Sequence, residues 1–307
     1  MNYLKNFTMT NNKKLKLVTH NGSFHGDDIF ACAVISLVLE KDKKNFEVFR
    51  TRNHEIIESG DYVFDVGGIY NEEKNRFDHH QKDGAGKREN GIEYAACGLV
   101  WKKFGIELCD GSQKVVDLID KRLFAPLDAG DNGFDLIVNK HEISPYFIQQ
   151  AVESMRPTWK EKDLNEDEMF LKGVSIAKEI LSREIIQAKD TILAEELVNN
   201  IYNNTQDKKI IILDKNYPCG YILNNFSEPL FVIYPRKADN FWGIRAVRED
   251  PKTFKNRKDF PNSWGALRNE ELQKITGVED AIFCHRALFL AVAKTKEGAI
   301  KLAELAL

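Results

Sequence analysis

Paired cysteines are missing from this chain. Its five cysteines (Cys32, Cys97, Cys109, Cys219 and Cys284) stand apart, with no CxxC spacing. Neither a disulfide framework nor a cysteine-clad zinc site is therefore written into the sequence. An odd, scattered set fits reduced thiols, and a cytoplasmic location is the expectation. Long apolar runs are also lacking. The longest, Ile29 to Leu39, is too short for a bilayer and is interrupted by Ser36, so no membrane span is expected. The Asn- and Lys-rich start has no apolar signal region, and residues 1–13 are expected to fray. Repeats and low-complexity tracts are absent. Strong charge is absent too: the net charge is −3 at pH 7, far from the basicity of a dedicated duplex-binding protein.

What is present is an ordinary globular composition, 43% hydrophobic and 30% charged, in 307 residues. That length exceeds one comfortable core and predicts two domains, 14–200 and 205–307. Charge divides the same way. From Thr205 onward there are 17 Lys and Arg against 13 Asp and Glu, leaving the preceding part at −7. An acidic first half suits metal ligands, and a basic second half suits an anionic substrate.

Leu15–Thr19, Phe46–Thr51 and Tyr62–Val66 have the short β-branched or aromatic pattern of strands. A buried helix runs through Ile29 to Glu40, with Asp27 or Asp28 expected as its cap, and a short one over His54–Ser59. Strands alternating with helices predict an α/β fold, a parallel sheet with helices on both faces. Further helices are expected over Glu93–Phe104 and Ser112–Leu123, then a turn-rich string Asp128–Gly133 and a proline-led helix near Ser144. A linking helix over 167–202 leads to a smaller C-terminal α/β domain with strands at Lys209–Leu213, Leu230–Tyr234 and Trp242–Val247. A helix over Thr295–Ala306 closes the chain.

Ligands of such sheets bind beyond the carboxyl ends of the strands. Thr19-His20-Asn21-Gly22-Ser23-Phe24-His25-Gly26-Asp27-Asp28 and Phe64-Asp65-Val66-Gly67-Gly68 occupy that position, and Arg76-Phe77-Asp78-His79-His80-Gln81 follows another short run. Singly, each polar residue has an ordinary explanation, such as a helix cap or an Asx turn. Three such clusters together point to a metal-dependent hydrolase. His20, His25, Asp27, Asp65, His79 and Asp131 are the candidate ligands. Six mixed oxygen and imidazole donors suit two divalent ions, Mn²⁺ or Mg²⁺, bridged by a carboxylate and a hydroxide. Asp65, alone at a strand end, is the expected bridge. Gly84-Ala85-Gly86-Lys87 is a poor phosphate loop, because Arg88 stands where a hydroxyl is needed. A flexible loop is expected there, from which Lys82, Lys87 or Arg88 could meet a phosphate.

These strings resemble the Myg (melanocyte-proliferating-gene) exonuclease family, a metal-dependent hydrolase family close to the DHH phosphoesterases. Asp128-Ala129-Gly130-Asp131-Asn132-Gly133 is similar to its fourth motif, and Phe254-Lys255-Asn256-Arg257, Phe260-Pro261, Trp264 to Arg268 and Phe283-Cys284-His285 later on also resemble the family. The resemblance covers residues 15–303. It implies a DHH-like first domain holding two ions of the Mn²⁺ kind, and 3′→5′ exonuclease activity on RNA or short single-stranded nucleic acid. His20, His25 and Asp65 would hold one ion, and Asp27, Asp65, His79 and Asp131 the other. His80 would contact the scissile phosphate and Asp78 would orient a histidine, so Asp65, Asp78 and His80 form the catalytic set. One departure stands out: after His285, where the family has a glycine pair, this chain reads Arg286-Ala287-Leu288-Phe289-Leu290-Ala291-Val292-Ala293-Lys294.

Between Arg236 and Arg268 nine basic residues face four acidic ones, interleaved with Phe241, Trp242, Phe254, Phe260 and Trp264. That is the pattern of single-strand binding. Arg257, Arg268 and His285 are the substrate-binding candidates, joined by Arg76 from the first domain. A homodimer is compatible with this reading. The alternatives are a small-molecule phosphatase, pyrophosphatase or cyclic-dinucleotide phosphodiesterase, and a catalytically weakened nucleic-acid-binding module.

Overall fold

Leu17 and Val18 point to opposite faces of β1 (Leu15–Thr19), and both are fully buried, as in a sheet covered on both sides. The computed structural model describes residues 14–307, so the expected fraying of residues 1–13 lies outside it. β1 passes through the His20 string into α1 (Gly26–Lys41), which is almost entirely apolar and buried. Its N-cap is His25, whose N–H donates to Asp28 Oδ1 at 2.8 Å. Asp27 and Asp28 thus lie in the first turn and not at the cap, because the extended His25 starts the helix earlier than expected.

β2 (Phe46–Arg50), α2 (His54–Glu58), β3 (Tyr62–Phe64), β4 (Tyr70–Asn71) and β5 (Arg76–Phe77) complete the first sheet. Its order is β2-β1-β3-β5-β4, parallel except for β4, which runs antiparallel to β5. Ile56 and Ile57 of α2 pack on Val18 and Val63. On the opposite face, Phe104 of α3 (Ala96–Leu108) meets Tyr62 and Phe77. The expected parallel sheet with helices on both faces is present. Four carboxyl ends of parallel strands therefore open onto one edge.

α4 (Gln113–Ile119) continues through a π-helical turn, Asp120–Phe124, into α5 (Ala125–Asp131). The wider turn accommodates Pro126, whose missing N–H would break a regular ladder. The expected turn at Asp128 is consequently helical, and the chain turns only at Asn132 and Gly133. α6 (Ile148–Glu153) begins beyond Pro145, later than expected. α7 (Glu166–Asn204) is 39 residues long. The chain divides into two compact units inside it, the first ending at Lys189 and the second covering Asp190–Leu307.

The second unit contains β6 (Ile210–Ile212), α8 (Gly220–Leu223), β7 (Phe231–Pro235), β8 (Trp242–Ala246), α9 (Asn269–Thr276), β9 (Ala281–Cys284), β10 (Leu290–Ala293) and α10 (Lys296–Leu305). The sheet order is β6-β7-β8-β10-β9, with only β6 and β7 parallel. Phe231, Ile233 and Ile244 pack with Leu272 of α9 and Leu302 of α10 on one face. Val232 and Tyr234 pack with Val198 and Tyr202 of α7 and Ile222 of α8 on the other. Among the described residues no helix is long and apolar enough to cross a membrane.

Candidate metal centre

The bend after β3 aims the first ligand. Asp65 has φ +52, a left-handed conformation that an Asp tolerates better than most side chains, and its N–H donates to Phe77 O at 3.1 Å. Its carboxylate is buried and its two oxygens face different partners. Oδ2 lies 3.2 Å from His20 Nε2, while Oδ1 lies 3.6 Å from His79 Nε2 and 3.5 Å from His80 Nδ1. His20, His25 and Asp65 bring one donor atom each within 4.8 Å of one another, and so do Asp27, His79 and Asp131. All six expected ligands thus gather around Asp65. They line a cleft of about 1050 Å³ in the first unit.

Asp27 projects from the first turn of α1 towards a helix it does not belong to. Oδ1 accepts the Cys97 N–H at 2.6 Å and Oδ2 the Ala96 N–H at 3.0 Å, capping the start of α3, where Ala95 has no side chain able to do so. Asp128 supports the same turn. Its Oδ1 accepts from Gly98 N at 3.1 Å and from Cys97 Sγ at 3.2 Å, and its Oδ2 pairs with Arg88 Nη1 at 2.6 Å. Arg88 also grips Asp120 with Nε and Nη2, so this guanidinium is committed to the fold and the segment around it is anchored. That replaces the expectation of a loop arginine available to phosphate.

Asp78 joins two of the clusters. Oδ2 accepts the Gly68 N–H at 2.5 Å, and Oδ1 accepts the His80 N–H at 3.0 Å and sits 2.7 Å from His80 Nδ1. A carboxylate there fixes the proton on Nδ1 and leaves Nε2 as the free ring nitrogen. His80 is exposed and lines the cleft, whereas His79 is largely enclosed.

The donor set fits divalent cations. His79 Nε2 is buried with no hydrogen-bond partner, although oxygens of Asp131, Asp65 and Asp27 surround it at 3.3, 3.6 and 3.8 Å. Donors that face a common centre without bonding one another are arranged as ligands are. Charge supports the same view. Burial, reinforced by the charge of Asp65, pushes the Asp131 carboxyl up, and burial with Asp65, Asp131 and Asp128 pushes Asp27 up strongly. Burial and Asp65 bring Asp28 to about 7. Burial opposes charging of His20, but its bond to Asp65 and the charges of Asp28 and Asp65 outweigh it and raise its pKa. Crowded carboxylates of this kind are relieved by cations.

The substrate candidates are distributed differently. Arg76 directs its guanidinium to the carbonyls of Lys74, Asn75, Glu58 and Gly60. Arg257 donates to Pro229 O and Asn224 O at 3.1 and 3.3 Å. Arg268 lies over the Phe283 ring, 4.6 Å from its centroid, and His285 lies between Phe283 and Phe289. Of the interleaved aromatics, Phe260 and Trp264 belong to the core, Trp242 packs against it, and Phe254 is open to solvent. In the glycine-pair departure, Ala291 and Val292 are buried in β10 and Leu288 adopts φ +56. Sequence reasoning misses Arg52, Gln149 and Glu153, which also line the cleft. The i, i+4 spacing of the last two on α6 is their available signal.

Comparison with known proteins places these observations in a lineage. The family model MYG1_exonuc, described as an uncharacterised protein family (UPF0160), matches residues 16–307. The human MYG1 exonuclease is 29% identical over 329 residues, covering 94% of this chain and 84% of its own length. The Dictyostelium discoideum MYG1 protein is 28% identical over 319 residues, covering 94% and 95%. RecJ of Thermus thermophilus, solved in complex with Mn²⁺, is 11% identical and covers 95% of this chain and 52% of its own, with a TM-score of 0.27.

Proposed function

Because the chain belongs to the MYG1 exonuclease family and is a metal-dependent hydrolase, we propose that it removes nucleotides one at a time from the 3′ end of RNA or short single-stranded nucleic acid. The observation that carries this reading is the divided carboxylate of Asp65, with Oδ2 turned to His20 and Oδ1 turned to His79. His20, His25 and Asp65 would hold one divalent ion, and Asp27, Asp65, His79 and Asp131 a second, with Mn²⁺ favoured. Bound there, such ions supply Lewis acidity towards the phosphate and bring the pKa of water towards neutrality.

The remaining work falls to side chains. Asp27 is held by the α3 amides and cannot swing away, so its position is fixed before substrate arrives. Asp78, 2.7 Å from His80 Nδ1 and accepting the His80 N–H, orients this ring at the wall of the cleft, where it can contact the phosphate.

A 5′-labelled RNA oligomer incubated with Mn²⁺, Mg²⁺ or chelator tests the reading. The expected result is a ladder shortening from the 3′ end with metal and none with chelator, abolished by Asp65→Asn. A loaded enzyme that hydrolyses pyrophosphate or a cyclic dinucleotide while leaving the oligomer at full length would overturn it.

A further inference from the structure

The metal cleft is lined by Asp27, Asp65, Asp131 and Glu153, yet its substrate is proposed to be a polyanion. Something besides the ions must meet the phosphates. Among the described residues that line the cleft, Arg52 is the one Lys or Arg. The nearby arginines are occupied. Arg50 pairs with Asp167 at 2.9 Å, donates to Gly22 O and lies 5.4 and 5.0 Å from the Phe24 and Phe170 ring centroids. Arg156 donates to Phe24 O and reaches Glu153 at 3.4 Å. Arg88 is spent on Asp120 and Asp128. Arg52, in contrast, is exposed, and among the described residues no carboxylate lies within 4.0 Å of its guanidinium.

The backbone that carries it is fixed on both sides. The N–H of the preceding Thr51 donates to Thr19 O at 2.7 Å, continuing the β2–β1 ladder one residue past the strand. The following Asn53 caps α2, its Oδ1 accepting from Glu55 and Ile56 at 3.0 and 3.2 Å. Arg52 therefore stands at the carboxyl end of a parallel strand, beside the strand whose end bears His20. A rigid base with an unpaired fork is the arrangement that binds phosphate at low entropic cost.

We propose that Arg52 is a substrate-binding residue, taking the non-bridging oxygens of a phosphate in the nucleotide chain held at the cleft. This rests on the exonuclease reading for the identity of the chain, but it can be judged separately from turnover. The full-length protein and its Arg52→Gln and Arg52→Lys variants are compared in two ways. The first is kcat and KM on a 5′-labelled RNA oligomer with Mn²⁺. The second is fluorescence anisotropy of the same oligomer over a salt series with Ca²⁺ in place of Mn²⁺.

The expected result is a KM and a Kd raised about tenfold or more in Arg52→Gln, with kcat changed much less. Arg52→Lys falls between, since it keeps the charge and loses the fork. The slope of log Kd against log salt becomes shallower by about 0.7 in Arg52→Gln, the loss of one phosphate contact on a single strand. Unchanged KM, Kd and salt slope in Arg52→Gln overturn the assignment. So does equal impairment of both variants accompanied by a fall in Tm, which marks a structural role. If the wild type binds the oligomer but never shortens it, the exonuclease reading fails and the anisotropy series still decides on Arg52. If it does not bind the oligomer at all, the Arg52 assignment fails.

Discussion

The Asp27 carboxylate accepts the Cys97 N–H at 2.6 Å, so a residue on α1 closes the N-terminus of α3 while facing the metal cleft. Structure and chemistry are therefore separable at this position by choice of substitution. Asp27→Ala leaves the buried N–H groups of Ala96 and Cys97 without an acceptor, and each unsatisfied donor costs about 1–3 kcal/mol. Asp27→Asn retains one acceptor and should lose less stability. Both variants should lose Mn²⁺ affinity. Urea denaturation with chelator present checks the order, Asp27→Asn above Asp27→Ala. Equal stability of the two variants would show that the cap contributes nothing.

Gly98 is reserved for the neighbouring carboxylate. A Cβ at this position would lie 1.9 Å from Asp128 Oδ2, inside any permitted contact. Gly98→Ala must then expel the Asp128 side chain and break its pairing with Arg88 Nη1, with a cost of about 2 kcal/mol or more. Asp128→Ala removes the obstacle and leaves the same arginine paired with Asp120 alone. The two changes should be strongly non-additive, the double variant being little worse than Asp128→Ala alone. Additive losses would mean that Gly98 and Asp128 do not compete for the same space.

The elements legible in the sequence and those that are not differ in how much information a short window holds. β1 and α1 are legible because each holds an apolar run, Leu17-Val18 and Ile29 to Leu39, that stops at an abrupt polar string. The ligand clusters are legible for a related reason: histidines and carboxylates at strand ends are rare enough in combination to be noticed. β4 and β5 are two residues long, and β9 and β10 are only four each, so they carry almost no periodic signal. Asp27's role at α3 joins residues 70 apart and depends on packing that no local pattern encodes. Arg52 is accessible in principle. It follows β2 as His20 follows β1, but nothing in the sequence marks its neighbour Arg50 as already paired.

Removing a ligand charge should separate stability from metal binding. Burial and the negative charge of Asp65 raise the Asp131 pKa, so the ionised carboxylate is unfavourable in the chelated protein. Asp131→Asn removes that repulsion. In chelator its Tm should equal or exceed that of the wild type. Mn²⁺ should raise the wild-type Tm by mass action and raise the variant's much less. Thermal melts with and without Mn²⁺ provide the test. A chelated variant that melts several degrees below the wild type would argue that Asp131 is held by structural bonds, not placed for an ion.

Far from the cleft, Asp110 sets a pH dependence of known sign. Its carboxylate lies 2.9 Å from Lys41 Nζ and 2.6 Å from Lys189 Nζ, and those hydrogen bonds, the Lys189 bond foremost, bring its pKa down to about 2. A folded-state pKa below the unfolded value means the folded protein holds the charged form more firmly. The stabilisation is fully present above the ordinary carboxylate range near pH 4, and it is lost as pH falls through about 2. Because the cluster is open to solvent, salt should weaken it. Urea melts of the wild type and Asp110→Asn should therefore differ most at neutral pH and low salt. The gap should narrow as pH falls from 4 towards 2, and again in molar salt. A gap that is constant across both series would mean that Asp110 acts through backbone geometry at its left-handed φ of 51° rather than through its charge.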